Sequence, residues 1–188
     1  FWDDITHFEG NANAFRLLTH RFLGRREGGF VMTYSTLASI VKYPFSSSYA
    51  GKHGKFGFFA TEEKTYQKIA DELGIIRKDR SEMGICYVRH PLTYLMEAAD
   101  DICYEIMDIE DSHKLKLLSS EETADLLLGF FDEDTRQGIR QRIVDEGVTD
   151  RNEQVVYFRA CAVGLLEAEC VRAFVRHEEE ILNGTFEG

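Results

Sequence analysis

The chain has 188 residues, with 33 acidic against 22 basic side chains and a formal net charge of −11. A surface this acidic is repelled by phosphate polymers and anionic headgroups. That argues against a nonspecific nucleic-acid or membrane binder, though not against a small anion held by a few focused cations. Hydrophobic residues at 44% and only two prolines fit a globular helical body able to bury a core.

In chain order, apolar residues at 14, 15, 17, 18 and 22 predict a helix over Ala12–Phe22, broken at Gly28–Gly29. Thr33–Tyr43 reads as a short amphipathic helix with Thr33 as its cap and Pro44 as its end. Ser46–Gly57, rich in Ser, Gly and Lys, reads as a loop, and Lys42, Lys52 and Lys55 lie close together around it. Thr61 opens a capping-box-like segment that runs to Leu73 and stops at Gly74. Arg77–Gly84 is a charged loop, and Ile85–Val88 is the one short β-like run.

Pro91 suits the first turn of a helix continuing to about Glu110. Ser119–Phe131 begins with a capping signal, Asp134–Glu146 forms a further helix stopped by Gly147, and Asp150 opens the longest segment, to about Leu182. The fold class expected is all-α, a bundle of about six to seven helices forming one region over 1–188. No apolar run approaches the roughly 18 residues a membrane-spanning helix needs, and no signal-like pattern opens the sequence. Cys161 and Cys170, on a helical pattern, fall on opposite sides at about 100° per residue. Buried cytosolic thiols are therefore expected, rather than a disulfide framework or a zinc knuckle.

One helix carries the chemistry. Asp100, Tyr104 and Asp108 recur every four residues, so each lies about 40° further round and about 6 Å along. Leu92, Leu95, Met96 and Ala99 form an apolar face upstream, and small Ala98 and Ala99 let a helix or ligand approach the backbone. A carboxylate just beyond them is partly desolvated unless a cation or donor compensates it. On spacing alone, a solvated acidic pair at Asp100–Asp101 and a packed Tyr104 explain the pattern as well.

The string RHPLTYLMEAADDICY (Arg89–Tyr104) resembles a signature of the bacterial dGTPase-type triphosphohydrolases of the HD superfamily. FEGNANAFRLL (Phe8–Leu18), TYSTLASIVKYP (Thr33–Pro44), KFGFF (Lys55–Phe59) and EEEILNGTF (Glu178–Phe186) are similar to further blocks, in the same order. The resemblance implies an HD-domain-like helical bundle, here its carboxy-terminal portion. It implies hydrolysis of a deoxynucleoside triphosphate, dGTP first among them, to deoxynucleoside and inorganic triphosphate. It further implies a divalent metal ion (Mg²⁺ or Mn²⁺), a homo-oligomer, a cytoplasmic location, and nucleic acid only as a regulator.

By position, Asp100 would be the last of four metal ligands, and Tyr104 would pack against the deoxyribose and leave no room for a 2′-hydroxyl. Asp108 would accept a hydrogen bond from the 3′-hydroxyl. Arg16, and Lys42 with Tyr43, would contact the triphosphate, with Lys55 a lesser candidate for the same task. Asp101 would be supporting or structural. Local cations suit a polyanion on an acidic protein, and a carboxylate oxygen suits a hard divalent ion.

The family's His and adjacent His–Asp pair are not among these residues. His7, His20, His53, His90, His113 and His177 are scattered without metal-ligand spacing, and His90 is expected to cap the helix start. The catalytic acid and base are therefore expected upstream of Phe1, both ends read as truncated, and this chain alone is expected to be inactive. Two other readings stay open: a non-catalytic nucleotide-binding regulatory module, and an HD phosphohydrolase acting on another phosphoester. Under the last, Tyr104→Ala leaves activity largely intact.

Overall fold

The computed structural model describes residues 2–24, 29–50, 54–79 and 84–186; Gly28, Lys52 and His53 lie outside them. The fold is all-α. Among the described residues there are ten α-helices rather than six or seven: the final predicted segment divides, one predicted loop closes into a short helix, and a further helix forms at Trp2–Thr6, where none was predicted. The chain forms two compact units, one made of Phe1–Glu97 with His177–Gly188 and the other of Ala98–Arg176.

The first unit opens with α1 (Trp2–Thr6) and α2 (Gly10–Thr19). Helix α2 starts two residues earlier than the apolar spacing predicts, because the buried Glu9 carboxylate caps it, accepting from the backbone N–H groups of Asn11 and Ala12. Thr33 caps α3 (Tyr34–Ser39) as expected, its hydroxyl accepting from the Thr36 N–H at 3.2 Å. The helix stops short of Tyr43, where tight turns take over: Val41 N–H donates to the Ala38 carbonyl and Lys42 N–H to that of Ile40. Within the predicted loop, Ser47–Ala50 forms α4.

A 3-10 turn at Ala60–Glu62 leads into α5 (Glu63–Leu73). Thr61 does not cap α5; its hydroxyl donates to Glu62 and accepts from Arg16. Gly74 ends the helix in the left-handed region, φ 67°, as its position predicts. The charged stretch after it is not all loop. Arg77–Asp79 (β1) pairs antiparallel with Cys86–Tyr87 (β2), and Phe45 bridges to Cys86 on the other side.

The first core is strongly aromatic. On α5, Tyr66, Ile69 and Ala70 share one buried face at helical spacing. Tyr66 stacks on Phe58 at 4.3 Å between ring centres and meets Phe15 and Tyr87 edge-on. Its own O–H has no hydrogen-bond partner among the described residues.

Helix α6 runs Pro91–Lys114, four residues beyond the predicted end. In its first turns the buried residue is Thr93, whose hydroxyl donates to the Ala38 carbonyl. Leu92 and Ala99 are exposed, so the expected apolar face is displaced toward Thr93. The second unit then comprises the rest of α6, α7 (Ser120–Leu128), α8 (Glu133–Asp145) and α9 (Arg151–Arg176). Ser119 and Glu122 form a complete capping box, and Asp132 caps α8 through the Thr135 N–H. The core here is mainly aliphatic: Ile106, Leu127, Leu128, Ile139, Ile143 and Val155, with Phe158.

The long predicted final segment breaks at His177, and Glu178–Leu182 forms α10 in the first unit. All four cysteines are free thiols; Cys86 is buried, Cys103 is exposed, and Cys161 and Cys170 are intermediate, so buried thiols hold for one of four. Among the described residues, no helix is long and apolar enough to cross a membrane.

Candidate functional site: a cation-lined cavity

The first unit contains a cavity of about 340 Å³ lined by Lys42, Tyr43, Phe45, Lys78, Arg89 and Tyr94, with Tyr87, Gly184 and Phe186 among its other walls. Lys42 and Tyr43 reach it from the turns after α3, Lys78 from β1, Arg89 from the segment just before α6 and Tyr94 from the first turn of that helix. Backbone hydrogen bonds brace its frame: Tyr87 N–H donates to the Pro44 carbonyl at 2.8 Å, and Val88 N–H to that of Ile76 at 2.9 Å. Gly184, φ 68°, permits the returning chain to close one side, since a Cβ there would fall 2.5 Å from the Val88 Cγ1.

Two of the cavity's cations are tied to one carboxylate. Lys42 Nζ lies 2.8 Å from Glu97 Oε1, and Arg89 Nη1 lies 3.0 Å from Glu97 Oε2. Arg89 Nε also donates to the Lys42 carbonyl at 3.0 Å, and its guanidinium sits over the Tyr94 ring at 5.6 Å. Burial raises the Tyr94 hydroxyl above its ordinary pKa, and the nearby Arg89 pulls the other way. His90 performs the helix-start role expected of it: its Nδ1 accepts from the Leu92 N–H, and burial holds its pKa below the ordinary value.

The other residues assigned to the phosphates lie elsewhere in the same unit. Arg16 pairs with Glu62 at 3.0 Å, donates to the Thr61 hydroxyl and stacks on Phe59 at 3.8 Å, bracing α2 against the 3-10 turn. Lys55, well exposed, lies 3.6 Å from the buried Glu9 carboxylate. Neither lines the cavity.

Asp100, Tyr104 and Asp108 all sit on α6 within the second unit, and all three are exposed. Tyr104 is 65% exposed, so it is not a core residue, and the Asp100 carboxylate is not desolvated by its alanine neighbours. Among the described residues, no three His, Cys, Asp or Glu side chains gather in an arrangement that holds a metal. One exposed carboxylate is not a site for a divalent ion, so the donors present here do not fit that group by themselves.

Sequence reading assigned no role to Lys78, Arg89, Tyr94 or Glu97. Arg89 and Glu97 stand within the quoted RHPLTYLME string, where a basic residue before Pro91 and an acid on the following helix were a visible signal. Their link to Lys42 was not visible, since Arg89 and Lys42 are 47 positions apart.

No family model matches the chain. Curated relatives do. A deoxyguanosinetriphosphate triphosphohydrolase-like protein of Pseudomonas aeruginosa (strain PAO1 among others) is 38% identical over 190 residues, 98% of this chain and 41% of that protein. One from Synechocystis is 38% identical over 193 residues, with the same coverage. The deoxyguanosinetriphosphate triphosphohydrolase of Yersinia pestis is 30% identical over 203 residues, covering 97% of this chain and 37% of the relative. The chain thus spans about two fifths of the length of these relatives.

Proposed function

We propose that this chain, homologous along almost its whole length to proteins named deoxyguanosinetriphosphate triphosphohydrolase, supplies part of the nucleotide-binding wall of a triphosphohydrolase acting on deoxynucleoside triphosphates. The supporting observation is the cavity that gathers Lys42, Lys78 and Arg89 beside Tyr43 in a protein of net charge −11. Cations concentrated in one concavity overcome the general repulsion of an acidic surface for a polyanion.

In the reaction, water adds at the α-phosphorus and the bond to the 5′-oxygen breaks. The nucleoside leaves with a proton, and all three phosphoryl groups stay together as inorganic triphosphate. Lys42 and Tyr43 would meet the phosphates. Tyr104 would pack on the deoxyribose, and Asp108 would accept from the 3′-hydroxyl. Asp100 would be one ligand of a divalent ion whose other ligands are not among the described residues.

The test is product analysis. A protein of the relatives' full length that contains this chain is incubated with dGTP and a divalent metal, and its phosphorus products are resolved by ³¹P NMR. Deoxyguanosine with triphosphate is the expected result; dGMP with pyrophosphate, and no triphosphate, overturns the reading.

A second reading, a nucleotide-binding regulatory module, is favoured by one observation: the cation-lined cavity is built wholly from residues of the first unit. Under it, the same full-length protein binds dGTP and releases no phosphorus product.

A further inference from the structure

The cavity's cations are arranged in a way that ion pairing alone does not require. Lys42 and Arg89 line it, whereas the carboxylate they share does not. Glu97 stands behind them, its side chain 15% exposed, with one oxygen on each cation. Arg89 is fixed a second time by its Nε donation to the Lys42 carbonyl, which ties its guanidinium plane to the very residue it neighbours. Tyr94 lies beneath that plane.

Two cations held side by side repel each other, and each has a long, many-rotamer stem. One carboxylate between them offsets the repulsion and fixes both stems. It exhausts neither partner, since an ammonium carries three N–H donors and a guanidinium five. Lys78 adds a third cation to the lining.

We propose that Glu97 is a positioning residue that holds Lys42 and Arg89 as a two-cation wall, and that Arg89 is a further polyphosphate-binding residue of this cavity. The proposal rests on the reading that Lys42 and Tyr43 meet the phosphates. A planar guanidinium suits two oxygens of one phosphoryl group, and the adjacent ammonium suits the next group along.

The sign of one substitution separates positioning from mere proximity. A carboxylate that only happens to lie near an anion site repels the ligand, so neutralising it tightens binding. A carboxylate that orients the cations has the opposite signature. The experiment is isothermal titration of the 188-residue chain with inorganic tripolyphosphate at fixed ionic strength, with circular dichroism as the check on folding.

Lys42→Gln and Arg89→Gln are each expected to weaken binding about tenfold or more, as loss of a charge-assisted contact does. Glu97→Gln is expected to weaken it about fivefold despite removing a negative charge. Unchanged or tighter binding in a folded Glu97→Gln chain overturns the positioning role. If that variant unfolds, Arg89→Lys decides: it keeps the charge but loses the Nε donor, and wild-type affinity would overturn the proposal. Loss of binding on Lys42→Gln alone leaves the phosphate reading standing and removes Glu97 and Arg89 from it. A wild-type chain that does not bind tripolyphosphate overturns both.

Discussion

The two units solve the problem of making a core in different ways. The first interleaves aromatic rings from four separated stretches of chain, Phe15, Phe58, Tyr66 and Tyr87, and draws in the last dozen residues as well. The second is one continuous run of helices whose aliphatic faces meet, with α7 against α9 as its principal contact. The cation-lined cavity lies in the first unit, with Tyr87 shared between it and the aromatic core. Leucine and isoleucine faces on neighbouring helices interdigitate. The second unit instead presents its polar stripe, Asp100, Tyr104 and Asp108, on an open helix surface.

The largest effects should come from opening either core. Phe58→Ala is expected to cost about 3–5 kcal/mol and Leu127→Ala about 2–5 kcal/mol, since both side chains are fully buried. Hydrogen exchange read by mass spectrometry locates the damage: Phe58→Ala should loosen the first unit most and Leu127→Ala the second. Equal loosening of both by either variant would break the comparison. Next in size is the capping box, where Ser119→Ala should lower stability by about 1 kcal/mol in urea denaturation, with protection lost first in α7.

A smaller effect tests the charge bracing in the second unit. Glu110 takes a hydrogen bond from Lys114 on its own helix and one from Arg159 on α9, and these hold its carboxyl below the ordinary value of 4.5. The stabilisation is therefore present above the unfolded-state value and lost as pH falls through the depressed folded-state one. Glu110→Gln should cost about 0.5–1 kcal/mol at pH 7, discounted for the partial exposure of Arg159. That deficit should vanish in a denaturation series taken into acid. Tyr66→Phe should have the smallest effect and the opposite sign. Its buried O–H has no partner among the described residues, so removing it should be neutral or stabilising by up to about 1 kcal/mol in the same assay.

The same contrast explains what could be read from the sequence. Helices of the second unit announce themselves locally: Ser119 with Glu122, a start near Asp132, Gly147 as a stop. In the first unit Thr33 and Gly74 were as legible, but other signals were less standard. Glu9 caps α2 although Ser, Thr, Asp and Asn are the residues usually sought there. Strand β1 depends on a partner contributed by later residues, so nothing within Arg77–Asp79 marked it as extended.

Of the candidate site, Lys42 and Tyr43 do line a cavity, and Asp100, Tyr104 and Asp108 do share a helix. Arg16 and Lys55 carry the right charge but are engaged with Glu62 and Glu9, contacts whose three-dimensional origin no spacing reveals.

Gly184 and Phe186 have a consequence for the order of events at the ribosome. They wall a cavity whose cations are made a hundred residues or so earlier, and Ala98–Arg176 is synthesised in between. A nascent chain therefore holds everything needed for the aliphatic core before the returning segment arrives to lay Gly184 against Val88. Domains tend to fold as they emerge, and contacts between distant stretches form late. The concavity is thus completed only after the residues of the aliphatic core have been made. A ribosome halted between Arg176 and Gly184 displays Lys42, Arg89 and Glu97 without the wall that encloses them.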